Sequence, residues 1–231
     1  MAGQTLDDKA WANARLGWLG ERSPDFAAAV RDLARLRSYS AGEYPHHIGD
    51  APGGIYGIVE GSFGTYTQSE QTGIVLGHIF QQGDWFGQGG LSSNKPRYLT
   101  FKAMEPSVVL YLSPDGVDHI ARTLAAGERE LMSLSEYNQT LMARVVSDLL
   151  IRKTECRVAS VLLRLFEITP DARILARACC FTQAELSEMT NTSRHTINTL
   201  LRSFEARGWI AISYKSITLK NADALRSCAQ S

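Results

Sequence analysis

Residues 181–212, FTQAELSEMTNTSRHTINTLLRSFEARGWIAI, leave the chain few ways to fold. Thr182 followed by Glu185 is a T-x-x-E capping box, in which hydroxyl and carboxylate each satisfy an orphan N–H at a helix start. It predicts a short helix over 183–189 whose inward residues are Leu186 and Met189. Asn191 and Thr192 then break the pattern, and Asn tolerates the left-handed backbone that a tight inter-helix turn needs. Ser193 can cap a second helix. There Ile197, Leu200, Leu201 and Phe204 recur at the i, i+3, i+4, i+7 spacing of one buried stripe. At about 100° per residue, His195, Thr199 and Arg202 fall on the opposite face, with Arg194 and Asn198 flanking them. A short helix, a turn and a longer helix with polar outward residues is the helix-turn-helix pattern. Gly208 ends the second helix, and Ile210, Ile212, Ile217 and Leu219 alternate around 213–216 as a β-hairpin, or wing, carrying Lys215. An ordinary αα-hairpin explains the two helices, but not the capping box, polar turn and wing that accompany them.

Charge is distributed accordingly. The chain is formally neutral, yet residues 1–151 carry 12 Lys and Arg against 17 Asp and Glu, while residues 152–231 carry 12 against 7. A basic C-terminal part suits a phosphate backbone. With 44% hydrophobic and 21% charged residues among 231, the chain reads as a globular protein of one large or two modest domains. It lacks a run of about 20 apolar residues, and MAGQTLDDKAW has neither the basic nor the apolar region of a signal peptide. The four cysteines, Cys156, Cys179, Cys180 and Cys228, match no zinc spacing and suggest reduced thiols in the cytoplasm.

Ahead of the helix-turn-helix, residues 6–36 read as broken helix, with Ser23-Pro24 as cap and first helical position. From Tyr39 to Leu112 short alternating apolar runs stand between glycine-rich turns, which predicts a small antiparallel barrel or jelly roll. Within it, GDWFGQGGL (83–91) can bring backbone N–H groups up to an anion, with Arg97 facing the same charge, or simply turn a barrel corner. Residues 128–151 form the longest helical segment. Leu131, Leu134, Leu141 and Val145 occupy a and d positions of a heptad frame completed by Asn138 and Asp148. Leucine and valine with one polar Asn is a two-stranded coiled-coil pattern, so the helix is expected to pair with that of a second copy. Residues 154–166 add an amphipathic helix under the helix-turn-helix.

The fold class expected is α+β: an N-terminal antiparallel β-barrel or jelly roll (1–127), a dimerisation helix (128–151) and a C-terminal winged helix-turn-helix (152–231). In this order the parts resemble the Crp/Fnr family of bacterial transcription regulators. The likeness runs from about Arg35 to Leu225 and is most specific over FTQAELSEMTNTSRHTINTLLRSFEARGWI. It implies a cytoplasmic homodimer that binds double-stranded DNA in a sequence-specific way, works with RNA polymerase, and takes a small effector in its barrel. By motif position Ser193, Arg194, His195, Asn198 and Thr199 would face the groove, joined by Arg202, with Thr182, Gln183 and Lys215 at the DNA backbone. The family's usual Arg-Glu…Arg reading set stands here as Arg194-His195…Thr199, so its usual half-sites do not carry over.

The family's cyclic-nucleotide cassette is matched by Gly87, Gln88, Gly89, Arg97 and Tyr98, with three departures. Gln88 replaces the glutamate that accepts from the ribose hydroxyl. Tyr98 replaces a small hydroxyl residue after the phosphate-binding Arg97, and Met142 and Ala143 replace polar residues that read the adenine. Together these argue against control by cyclic AMP, with a cyclic nucleotide retained as the alternative effector. The N-terminal cysteine cluster of iron–sulfur relatives is absent, and His46, His47, His78 and His119 are the histidines available to a haem. No other cofactor, metal site or catalytic residue is expected. A cupin-like barrel enzyme, the rival from another class, needs clustered ligands; His46-His47 is the one pair, and adjacent strand residues face opposite ways.

Overall fold

The computed structural model describes residues 6–91, 94–166, 178–213 and 216–231. Asp7 caps α1 (Asp8–Ala14), its carboxylate accepting from the Ala10 N–H at 2.6 Å. Ser23 caps α2 (Pro24–Leu33), and the helix expected to reach Leu36 gives way to β1 (Arg35–Tyr39), where Leu36 pairs with Leu110. Then come β2 (Ile55–Glu60), β3 (Ser62–Ser69), β4 (Gly73–Gln81), β5 (Trp85–Phe86), β6 (Thr100–Ala103) and β7 (Ser107–Leu112). They form two antiparallel sheets, in the orders β1-β7-β2-β5 and β4-β3-β6. The alternating runs predicted an antiparallel barrel or jelly roll; the strands form these two sheets, with Phe63, Phe80, Phe86 and Phe101 buried.

Downstream, Ser113 caps α3 (Pro114–Thr123), and α4 (Gly127–Leu150) is the long rod, within one residue of the expected bounds. Then follow α5 (Thr154–Phe166), β8 (Ala178–Cys180), α6 (Gln183–Met189), α7 (Arg194–Ala206), β9 (Ile210–Ser213), β10 (Ser216–Leu219) and α8 (Ala222–Ala229). The last sheet runs β8-β10-β9, so the expected wing is present and is extended by the strand that enters α6.

The chain packs as two compact units, residues 1–67 with 79–141 and residues 68–78 with 142–231. The first unit has a core of Trp18, Phe26, Ile55, Trp85, Leu110, Leu112 and Ile120. Trp18 meets the rings of Phe26 and Trp85 edge-on at 5.7 and 5.6 Å, the arrangement aromatic quadrupoles favour. In the second unit α5 packs against α7 and α8, burying Val158, Val161, Leu162 and Leu165.

The rod corrects one expectation. Leu131 and Leu134 belong to the first unit's own core, and buried Asn138 donates to the Trp85 carbonyl and to Gln88 Oε1, each at 3.0 Å. Val145 is buried, Leu141 half-buried, and Asp148 accepts from Ser160 Oγ and Arg164 Nε at 2.6 Å each. The face read as an interchain seam is therefore filled by the chain itself. A helix lying on its own domain and a helix in a coiled coil carry apolar stripes that differ by only about 20° per heptad. Over 24 residues the pattern reveals a stripe and not its partner.

Candidate nucleic-acid interface

The outward face of α7 is built by its caps. Thr182 Oγ1 accepts from the Glu185 N–H at 3.2 Å while Glu185 Oε2 accepts from the Thr182 N–H at 2.6 Å, closing the capping box on α6. Asn191, at φ +46°, makes the left-handed step of the turn. Ser193 Oγ then accepts from the Thr196 N–H at 3.1 Å and starts α7. Behind the turn, Arg157 of α5 bridges three acceptors: the Thr190 carbonyl at 2.8 Å, Thr192 Oγ1 at 3.3 Å and the Ile151 carbonyl at 2.6 Å. A lysine has no fork to do the same. At the other end of α7, Arg207 pairs with Glu155 at 2.6 Å and lies over the Trp209 ring, and Glu205 accepts from the Ile212 N–H at 2.8 Å. Arg157, Arg207 and Glu205 escaped the sequence reading, since nothing in their spacing marks them.

Ile197, Leu201 and Phe204 are buried, as the stripe predicted, whereas Leu200 is half-buried. Arg194, His195, Thr199 and Arg202 are exposed on the far side, with Ser193 beside them and Asn198 half-buried. Thr182 is exposed and Gln183 half-buried at the start of α6. Ser193, Arg194, His195, Thr199 and Arg202 are thus solvent-facing along α7, with Thr182 and Gln183 at the start of α6; the Thr199 hydroxyl donates to its own helix at the His195 carbonyl, 3.1 Å away. Lys215 lies outside the described residues. With an aligned N-terminus, two arginines and small polar groups, the face offers donors to phosphates and base edges.

The glycine segment is arranged differently. Gly87 (φ +97°) opens a short 3₁₀ turn, Gln88–Gly90, and Gln88 points its amide oxygen at Asn138. Arg97 is 4% exposed and donates to the Gly87 carbonyl and, at 2.9 Å, to the Gly54 carbonyl. Burial lowers its pKa. Tyr98 is exposed, with its ring where a side chain on Gly89 would have to go. Beside this, Tyr56 stacks on Phe86 at 5.1 Å and Phe86 on Phe101 at 4.1 Å. His46 lies against these rings with neither ring nitrogen in a well-formed hydrogen bond. Burial first, and the Arg97 charge second, push its pKa down to about 4. His47, its neighbour, is exposed, as alternation along an extended chain requires.

Two family models match the chain: a cyclic nucleotide-binding domain over residues 36–123 and a Crp-like helix-turn-helix domain over residues 156–228. The HTH-type transcriptional regulator Cmr of Mycobacterium tuberculosis is 25% identical over 89% of this chain and 81% of its own length. The transcriptional regulator LdrP of Thermus thermophilus is 29% identical over 66% of this chain and 74% of its own. Among solved structures, FixK2 of Bradyrhizobium japonicum superposes with a TM-score of 0.72 at 17% identity, covering 84% of this chain and 96% of that one.

Proposed function

Because the chain belongs to the Crp/Fnr family and is a transcriptional regulator with a DNA-binding helix-turn-helix, not an enzyme, we propose that it reads DNA as a homodimer through Arg194, His195, Asn198 and Thr199. Ser193, Arg202, Thr182, Gln183 and Lys215 supply the flanking contacts, and RNA polymerase is the partner through which binding acts. The observation that carries this reading is the exposed polar end of α7, capped by Ser193 and braced by Arg157. Arg194 is assigned a bidentate contact to a guanine edge, a pairing that discriminates by about 1–3 kcal/mol.

The dimer is assigned to the other face of α4. Met132 and Val146 are 60% and 57% exposed, and Leu149 and Leu150 are exposed as well. Met132, Gln139 and Val146 stand seven apart, with Met142 and Leu149 completing a heptad one residue out of step with the buried stripe. Residues 1–127 then act as the sensor and residues 152–231 as the reader.

The effector is not a cyclic nucleotide in this reading. Arg97, the group that would meet a phosphate, is instead held by the Gly54 and Gly87 carbonyls, and Tyr98 occupies the space over Gly89. A second reading, a nucleotide-controlled regulator, is favoured by the cyclic nucleotide-binding model over residues 36–123. Selection from random duplex DNA, with and without cyclic AMP and cyclic GMP, separates the two. A two-half-site sequence enriched equally in all arms is expected. Enrichment that requires a nucleotide would establish the second reading, and absence of any enriched sequence at low salt would end the first.

A further inference from the structure

The turn that leads into α7 has a basic neighbour that the helix-turn-helix pattern does not include. With one guanidinium Arg157 joins the Ile151 carbonyl at 2.6 Å, the Thr190 carbonyl at 2.8 Å and Thr192 Oγ1 at 3.3 Å. Ile151 follows the end of α4, so the next two residues, Arg152 and Lys153, lie beside the turn that precedes Ser193. Both are exposed. Neither has an ion-pair partner among the described residues, whereas Arg164, Arg207 and Arg226 are matched by Asp148, Glu155 and Asp223.

Local structure supplies no use for these two charges. They stand immediately before α5, where the helix dipole disfavours positive charge. Glu155, the carboxylate of that first turn, is committed to Arg207. The fold thus spends a carboxylate on a cation at the far end of α7 and leaves the pair beside the turn uncompensated. Cations that folding does not use, next to a face open to a partner, suit a polyanion. We propose that Arg152 and Lys153 hold the phosphate backbone of duplex DNA just outside the half-site read by α7, a contact that rests on the DNA-reading function above.

The contact works through charge. Arg157 ties the backbone ahead of the pair to the turn, so its position follows that of α7. The two side chains extend from beside the turn and not from the outward face of α7, so they meet phosphates and not base edges. They add affinity and set register without selecting a sequence, and each phosphate they neutralise releases counterions.

The test measures affinity of the full chain for its selected duplex between about 50 and about 200 mM potassium chloride. Arg152→Gln combined with Lys153→Gln should flatten the plot of log affinity against log salt by about 0.9 per phosphate, about 3.6 for the four contacts of a dimer. Over that range the wild type then loses about a hundredfold more affinity than the variant. Both proteins should select the same base sequence. Arg152→Lys combined with Lys153→Arg, which keeps the charge, should keep the wild-type slope. So should Lys220→Gln, which removes an exposed charge past the far end of α7. An unchanged slope in the double Gln variant would overturn the phosphate contact, as would an equal flattening in Lys220→Gln, the mark of bulk charge alone. A changed base preference would overturn its confinement to the backbone. Those outcomes count against this pair alone, since the protein still selects its sequence. A wild type that binds no duplex at low salt would sink the DNA-reading function and this contact with it.

Discussion

Two parts of this protein carry residues that could bind a ligand, and they treat them in opposite ways. In the sheet pair, Arg97 donates to two carbonyls of its own chain and His46 is enclosed by aromatic rings. On α7, Arg194, His195 and Arg202 face solvent while caps and braces drawn from other residues hold the helix. A polar side chain is available to a partner where the scaffold is satisfied without it. By that criterion the outward face of α7 is open to a partner, whereas Arg97 is already engaged by its own chain.

Four experiments test the contrast. Val146→Asp should have the largest effect, splitting the dimer and lowering DNA affinity by about a hundredfold as one binding event becomes two independent ones. Sedimentation gives the mass, and Leu134→Asp, which faces the core, should unfold the protein instead. Next comes acid. The His46 pKa is depressed in the folded state, so its contribution is intact above about 6.5 and lost as pH falls toward about 4. Some 2.5 units is worth roughly 3 kcal/mol. Denaturant midpoints of wild type and His46→Phe should converge across that window, and parallel curves would show that His46 takes no part.

Arg194→Ala should weaken binding by about 1–3 kcal/mol and relax selection at one base position per half-site, leaving thermal stability unchanged. A stability loss without a selectivity loss would make this residue architectural too, and erase the contrast. Ser193→Ala should cost about 1 kcal/mol of stability through the lost cap, with a fall in affinity no larger. Thermal melts and gel shifts measure the two together.

The reader was legible in the sequence because its signals are local. Capping box, turn, stripe and wing each lie within a few residues, and α6 and α7 stand where the pattern put them. The alternating runs likewise announced an antiparallel barrel or jelly roll, although not which strands pair, since β1 joins β7 from the far end of the region. The rod showed the limit. Its length was evident, but whether Leu131 and Asn138 face a second copy or their own core depends on tertiary packing. Likewise Arg97 reads as an anion partner until the Gly54 and Gly87 carbonyls are seen to claim it. Arg157 carries no local mark, because its three acceptors come from two other stretches of the chain.

The strand β4 has a practical consequence for anyone wishing to dissect this protein. Residues 68–78 pack with the C-terminal half: the Leu76 N–H donates to Glu188 beside the turn, and His78 engages Arg164 in the interior of α5. A fragment cut out from Met142 onward would take the Leu76 donor from that carboxylate and the His78 imidazole from that guanidinium, which would keep Asp148. The unit that holds the helix-turn-helix is thus discontinuous along the gene, and no single scissors cut can liberate it whole.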